Sequence, residues 1–142
     1  MAFSIIDILG RHYKGREYSC GETYESLVIH DGGEKPSLEE LMAKELDTKR
    51  LIVKERVHQV AYTKIITVMP DWKQRNALAR RLELTAKTEL TVDEQLEAAT
   101  LDGIWTWIKA VRDYSNALEA TIDASTDPYA EDINAGWPVY SV

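Results

Sequence analysis

The stretch from Ser37 to Met69 contains neither glycine nor proline, and this constrains the fold more than any other feature of the sequence. Ser37 and Glu40 have the spacing of a capping box at its start, and Pro70 closes it. Apolar residues recur along it at helical spacing: Leu38, Leu41, Met42, Leu46, Val53, Val57, Val60 and Ile65. We predict a helix over residues 38–68, about 45 Å long if unbroken, with a break near Asp47–Thr48 as the alternative. Such a helix is typical of bundles and coiled coils.

The segment before this helix predicts a small mixed unit. The apolar cluster from Phe3 to Leu9 indicates one short helix, with Ser4 as its N-cap. Residues 16–31 contain two runs of β-forming residues around the turn signal Gly21–Glu22 and predict a β-hairpin. A lone hairpin is marginally stable in water, so we expect it to pack on a helix or on another subunit.

The segment after Pro70 predicts two further helices. The first begins at Asp71 and ends near residues 86–88, and the second begins at the capping box of Thr91 and Glu94 and runs to about Ile122. Because few residues join them, we expect an antiparallel helical hairpin. From Ser125 onward the sequence has no helical period, yet it carries Trp137 and Tyr140, which indicates an extended tail that docks on a surface.

The predicted fold class is therefore mainly α. It comprises a short N-terminal helix and β-hairpin, a long central helix, a C-terminal antiparallel helical hairpin and an extended C-terminal tail. The predicted divisions are a small α/β unit with a β-hairpin over 1–36, a long connecting helix over 37–69, the helical hairpin over 70–124 and the tail over 125–142.

Composition argues against several classes of function. The net charge is -7 and the pI is about 5.0, which disfavours nucleic acids and anionic membranes as partners. Cys20 is the only cysteine, so no disulfide can form within one chain. The first residues lack the basic region of a signal peptide, and no apolar run approaches membrane-spanning length. We expect synthesis in a reducing cytosol.

The sequence offers no recognisable constellation for chemistry. The three histidines, His12, His30 and His58, fall in different predicted elements and lack metal-ligand spacing, and no phosphate-binding loop is present. We therefore predict no catalytic residue, no cofactor and no bound metal.

A basic cluster occurs in the first helix of the hairpin, and it has two interpretations. Lys73, Arg75, Arg80 and Arg81 could bind nucleic acid, or they could form ion pairs with the acidic last helix. The net charge favours ion pairing. We also expect Arg112 to pair with Glu83 across the hairpin.

Two tryptophans lie close together in the last helix. Trp105 falls on the apolar stripe and is predicted to pack in the core. Trp107 lies about 200° away around the helix and is predicted to flank the core. The alternative is that Trp107 anchors a protein interface.

Two stretches resemble phage tail proteins. Tyr24–Asp31 followed by Lys35–Leu41 resembles the Tyr-x-x-Leu, hydrophobic, Asp motif and the Lys-Pro-Thr/Ser-x-x-Glu-Leu motif at the front of small tail proteins. Trp72–Arg80 resembles a Trp-Lys-Gln-Arg-Asn-x-x-Ala-Arg segment of tail and tail-fibre-associated proteins. There, as here at Trp105–Ser115, a Trp-x-Trp-Ile-x-x-Val-Arg-x-x-Ser helix follows. The likeness spans roughly residues 22–122.

The resemblance implies a non-enzymatic tail structural protein that attaches or organises tail fibres at the tail or baseplate. The alternative is a tail-fibre assembly chaperone that is absent from the mature virion. Expected partners are tail-fibre or baseplate proteins and one or two further copies of the chain, first in the host cytoplasm and then in the virion tail. A third hypothesis, from a different class of function, is a small enzyme or a DNA-binding regulator. The candidate partner-binding residues are Trp72, Arg75, Trp107, Trp137, Val139 and Tyr140.

Overall fold

The computed structural model describes residues 3–141, and this part of the chain is mainly helical, as predicted. In chain order its elements are α1 (Ile5–His12), β1 (Tyr18–Ser19), β2 (Val28–Ile29), α2 (Leu38–Met42), α3 (Glu45–Val68), α4 (Asp71–Thr85) and α5 (Val92–Ala124). Short 3₁₀ turns occupy Tyr24–Ser26 and Pro128–Ala130. Contacts divide the chain into two compact units. The first runs up to Lys54 and includes Ile122–Glu131, and the second comprises Glu55–Thr121 and the residues from Asp132 on.

The predicted central helix is interrupted earlier than the sequence indicated. α2 ends at Met42 and α3 begins at Glu45, so the break lies at Ala43–Lys44 and not at Asp47–Thr48. Thr48 is instead fully buried inside α3, where its hydroxyl donates to the Lys44 carbonyl at 2.7 Å. The same hydroxyl lies within hydrogen-bonding distance, 3.0 Å, of His12 Nε2.

The core of the first unit forms around α1, α2 and the hairpin. Ile8, Leu9, Leu27 and Leu41 are buried together. Partly buried apolar side chains surround this cluster: Phe3, Ile5, Tyr13, Tyr18, Cys20, Tyr24 and Ile29. Leu27 and Leu41 thus join the hairpin and α2 to α1, which supplies the packing that a two-stranded sheet needs.

The hairpin is shorter than predicted. β1 and β2 are antiparallel, with Tyr18 opposite Ile29 and Ser19 opposite Val28. Tyr24–Ser26, predicted as strand, forms the 3₁₀ turn because the Ser26 hydroxyl accepts from the Gly21 amide at 2.7 Å and tightens the loop. At the open end Arg16 binds Asp31 through Nε and Nη2, and this hydrogen bonding lowers the pKa of the Asp31 carboxyl.

The helices of the second unit pack antiparallel, which confirms the predicted helical hairpin. Arg80 and Arg81 of α4 reach Glu97 and Asp102 of α5, respectively. The Thr91–Glu94 capping box forms at the start of α5, with the Thr91 amide donating to Glu94 at 3.0 Å. The buried side chains of the unit are Val57, Ala61, Ile65, Met69, Ala77, Leu84, Ala98, Ile104, Trp107, Ile108, Val111, Ser115 and Trp137.

Candidate interaction surfaces

One face of α4 carries exposed apolar side chains. Trp72, Leu78 and Leu82 are 56%, 49% and 62% exposed, and they lie within one third of the helix circumference. The side of α4 that packs in the unit carries the buried residues Ala77 and Leu84. Large apolar residues facing solvent over consecutive turns are typical of a protein contact surface. We call this surface, defined by Trp72, Leu78 and Leu82, the α4 face.

The arginines of the basic cluster in α4 differ in whether they form ion pairs. Arg80 donates to both oxygens of Glu97 at 2.7 and 2.9 Å, and Arg81 binds Asp102 at 2.8 Å. Hydrogen bonding to these arginines lowers the pKa of the Glu97 and Asp102 carboxyls. These contacts are the ion pairs with the last helix that the charge favoured. Arg75, in contrast, lies exposed in the α4 face and has no ion pair or hydrogen bond within residues 3–141.

A cavity of about 370 Å³ opens among α3, α4 and α5 in the second unit. Its apolar lining comes mainly from α3, and its polar lining comes mainly from the start of α4 and from α5. The lining residues are His58, Ala61, Tyr62, Ile65, Ile66, Asp71, Gln74, Arg112, Ser115 and Asn116. Three of the lining residues belong to the segments Trp72–Arg80 and Trp105–Ser115: Gln74, Arg112 and Ser115. The fold therefore brings both segments to one cavity.

The predicted pairing of Arg112 with Glu83 is wrong. Glu83 accepts from Arg80 on its own helix at 3.1 Å, and Arg112 lines the cavity. The register of the hairpin explains this result. With Arg81 opposite Asp102, a residue ten positions further along α5 lies beside the start of α4, near Asp71 rather than Glu83.

The C-terminal segment docks on α5 of its own unit. The Trp107 indole donates to the Pro138 carbonyl at 3.2 Å, and the Trp107 ring meets Tyr140 edge-on at 5.3 Å between centroids. Trp137 packs against Tyr114 in the same manner at 4.9 Å, and the Tyr114 hydroxyl donates to the Ala135 carbonyl at 2.7 Å. The segment is extended and docked, as the aromatics indicated.

The candidate partner-binding residues therefore fall into two groups. Trp107 and Trp137 are buried at 8% and 7% exposure, and together with Tyr140 they form the contact between the C-terminal segment and α5. Trp107 is more deeply buried than Trp105, which is half-buried, because the C-terminal segment covers its side of the helix. Trp72, Arg75 and Val139 remain exposed.

Among residues 3–141 no group of three or more His, Cys, Asp or Glu side chains could hold a metal ion. None of the helices in this range has the length and hydropathy needed to cross a membrane. No model of a protein family, no curated protein and no solved structure matches the chain.

Proposed function

We propose that the chain is a non-enzymatic phage tail structural protein, an adaptor that attaches or organises tail fibres at the tail or baseplate. The observation that carries this proposal is the α4 face. It exposes Trp72 and Leu78 in the same segment, Trp72–Arg80, that resembles tail and tail-fibre-associated proteins. An exposed apolar helix face is the kind of surface that a groove on a partner protein binds.

The composition of the α4 face supports a protein partner. Interface centres are enriched in tryptophan and arginine, and Trp72 and Arg75 lie together on this face. Arg75 has no ion pair or hydrogen bond within the described residues, whereas Arg80 and Arg81 bind carboxylates of α5. We expect the partner to present apolar side chains to Trp72 and Leu82, and a carboxylate or carbonyl to Arg75.

Quantitative mass spectrometry of purified particles tests the proposal. In the phage that encodes this chain, we expect the protein in particles at a fixed copy number relative to the tail-fibre subunit. Leu82→Asn should reduce incorporation strongly, because it removes an apolar contact without touching the packed side of α4. The matched control is Ile6→Asn, which removes a 44% exposed apolar side chain from α1 and should leave incorporation unchanged. Absence of the protein from particles would rule out the adaptor function.

The second candidate function is a tail-fibre assembly chaperone that leaves before maturation. The observation that favours it is that the aromatic tail, which was expected to dock on a surface, packs on α5 of the chain's own unit and so is not available to a partner. Co-expression with the fibre should then raise the yield of soluble fibre, and Leu82→Asn should abolish that gain. An unchanged fibre yield would count against it.

Self-association of two or three chains is part of the proposal. In the absence of the tail partner, the α4 face is the surface on which we expect it, since its exposed apolar area would be reduced by pairing. Light scattering of the purified protein should give a dimer or trimer, and Leu82→Asn should shift it toward monomer.

A further inference from the structure

The cavity lined by α3, α4 and α5 combines one unpaired cation with neutral hydrogen-bonding groups. Arg112 lines the cavity and has no ion pair or hydrogen bond within residues 3–141. The side chains of Gln74, Ser115 and Asn116 lie in the same lining. Elsewhere in this unit arginines with carboxylates in reach bind them, as Arg80 and Arg81 do. The guanidinium of Arg112 is therefore available to a ligand in the cavity.

The rest of the lining limits the ligand to a weakly charged group with an apolar part. Ala61, Ile65 and the Tyr62 ring form an apolar wall from α3. Asp71 also lines the cavity, and its negative charge would repel a dianion such as phosphate more strongly than a monoanion. His58 is held by Glu119, which leaves Arg112 as the main cation. A planar carboxylate matches the guanidinium geometry, and an apolar stem matches the wall.

We propose that this cavity binds a carboxylate carried on an apolar stem, with Arg112 donating to the carboxylate and the Tyr62–Ile65 wall packing against the stem. The class includes a glutamate side chain of a protein segment and a free aryl-alkyl acid. The site does not depend on the α4 face, because none of Trp72, Leu78 and Leu82 lines it.

Binding can be tested by two-dimensional NMR titration of the full chain with two probes, 4-phenylbutyrate and the blocked peptide acetyl-Leu-Glu-Leu-amide. We expect one or both to shift the side-chain amide signals of Gln74 and Asn116. The neutral 4-phenylbutyramide and the peptide with Gln in place of Glu should shift neither. A response to the peptide alone assigns the carboxylate to a protein side chain, and a response to 4-phenylbutyrate alone assigns it to a free acid. Either response supports the site.

The matched variants are Arg112→Gln and Lys14→Gln, since both side chains are exposed and unpaired within the described residues. Arg112→Gln should weaken binding by on the order of tenfold to a hundredfold, the loss expected for a charge-assisted hydrogen bond. Lys14→Gln should leave the affinity unchanged, and Tyr62→Ala should weaken it by loss of the apolar wall. Equal affinity in Arg112→Gln, equal binding of the neutral probes, or no response to either acid at millimolar concentration would overturn the proposal.

Discussion

The indole nitrogen of Trp107 lies 3.2 Å from the carbonyl oxygen of Pro138, and this hydrogen bond attaches the C-terminal segment to α5. Trp137, one residue before that carbonyl, donates its own indole hydrogen to Ile133 at 2.8 Å and packs on Tyr114. The segment is therefore held by two buried tryptophans, each with its polar atom paired. A buried indole N–H usually has a hydrogen-bond acceptor, and both of these do.

Removing the buried tryptophan of the tail should therefore destabilise the protein. We expect Trp137→Ala to lower the free energy of unfolding by about 3–5 kcal/mol, the usual cost of truncating a buried aromatic side chain. The matched control is Trp72→Ala on the exposed α4 face, which should change it by less than about 0.5 kcal/mol at a protein concentration at which the chain is monomeric. Urea unfolding followed by circular dichroism measures both. Similar losses for the two variants would contradict the docked position of the tail.

Alanine substitution at two glycines should change the stability of the protein in opposite directions. Gly136 has φ +82°, and a Cβ there would overlap the Tyr114 hydroxyl, so Gly136→Ala should destabilise by about 1–2 kcal/mol. Gly103 lies inside α5 with open space where its Cβ would be, so Gly103→Ala should stabilise by about 0.5–1 kcal/mol. Thermal unfolding of both variants provides the measurement. A loss of stability in Gly103→Ala would mean that another chain or segment covers that face of α5.

Leu82 and Leu84 provide a test of which side of α4 is packed. They are two residues apart and so about 200° apart around the helix. Leu84 is 1% exposed, and Leu84→Ala should cost about 2–5 kcal/mol. Leu82→Ala should cost less than about 0.5 kcal/mol in the monomer. Chemical denaturation distinguishes the two, and a large loss in Leu82→Ala that depends on protein concentration would indicate self-association through the α4 face.

The ion pair between Arg80 and Glu97 should make stability depend on acid pH. Hydrogen bonding to Arg80 lowers the pKa of Glu97 in the folded state relative to its value of about 4.3 in the unfolded chain. The stability that the ionised Glu97 contributes is therefore present above about pH 4.3. It is lost as the pH falls through the lowered pKa of Glu97 in the folded state. Unfolding measured from pH 6 to pH 3 should show a shallower decline in Glu97→Gln than in the parent protein.

Two comparisons distinguish the effect of the ion pair on the acid dependence of stability from the effect of net charge. Glu25→Gln removes the same charge from the exposed Tyr24–Ser26 turn and serves as the control. Added salt should reduce the difference between Glu97→Gln and the parent, because the pair is close to solvent and is screened. An unchanged acid dependence in Glu97→Gln would show that the pair does not form in solution.

The sequence by itself determined where most helices begin and end. The capping boxes at Ser37–Glu40 and Thr91–Glu94 start α2 and α5, and Pro70 separates α3 from α4. These signals work because the groups involved are within a few residues of each other, so the main chain needs no distant contact to form them. The antiparallel hairpin followed equally from its short connection.

Only the tertiary structure decided the features that depend on distant residues. Ala43 and Lys44 are good helix formers, yet the helix is interrupted at these two residues, and Leu41 before them is buried in the core of the first unit. Arg112 faces the cavity because of the hairpin register, and Trp107 is buried because the tail covers it. The physical reason is common to all three. Helical period fixes the face on which a side chain lies, but what covers that face depends on segments far away in the sequence.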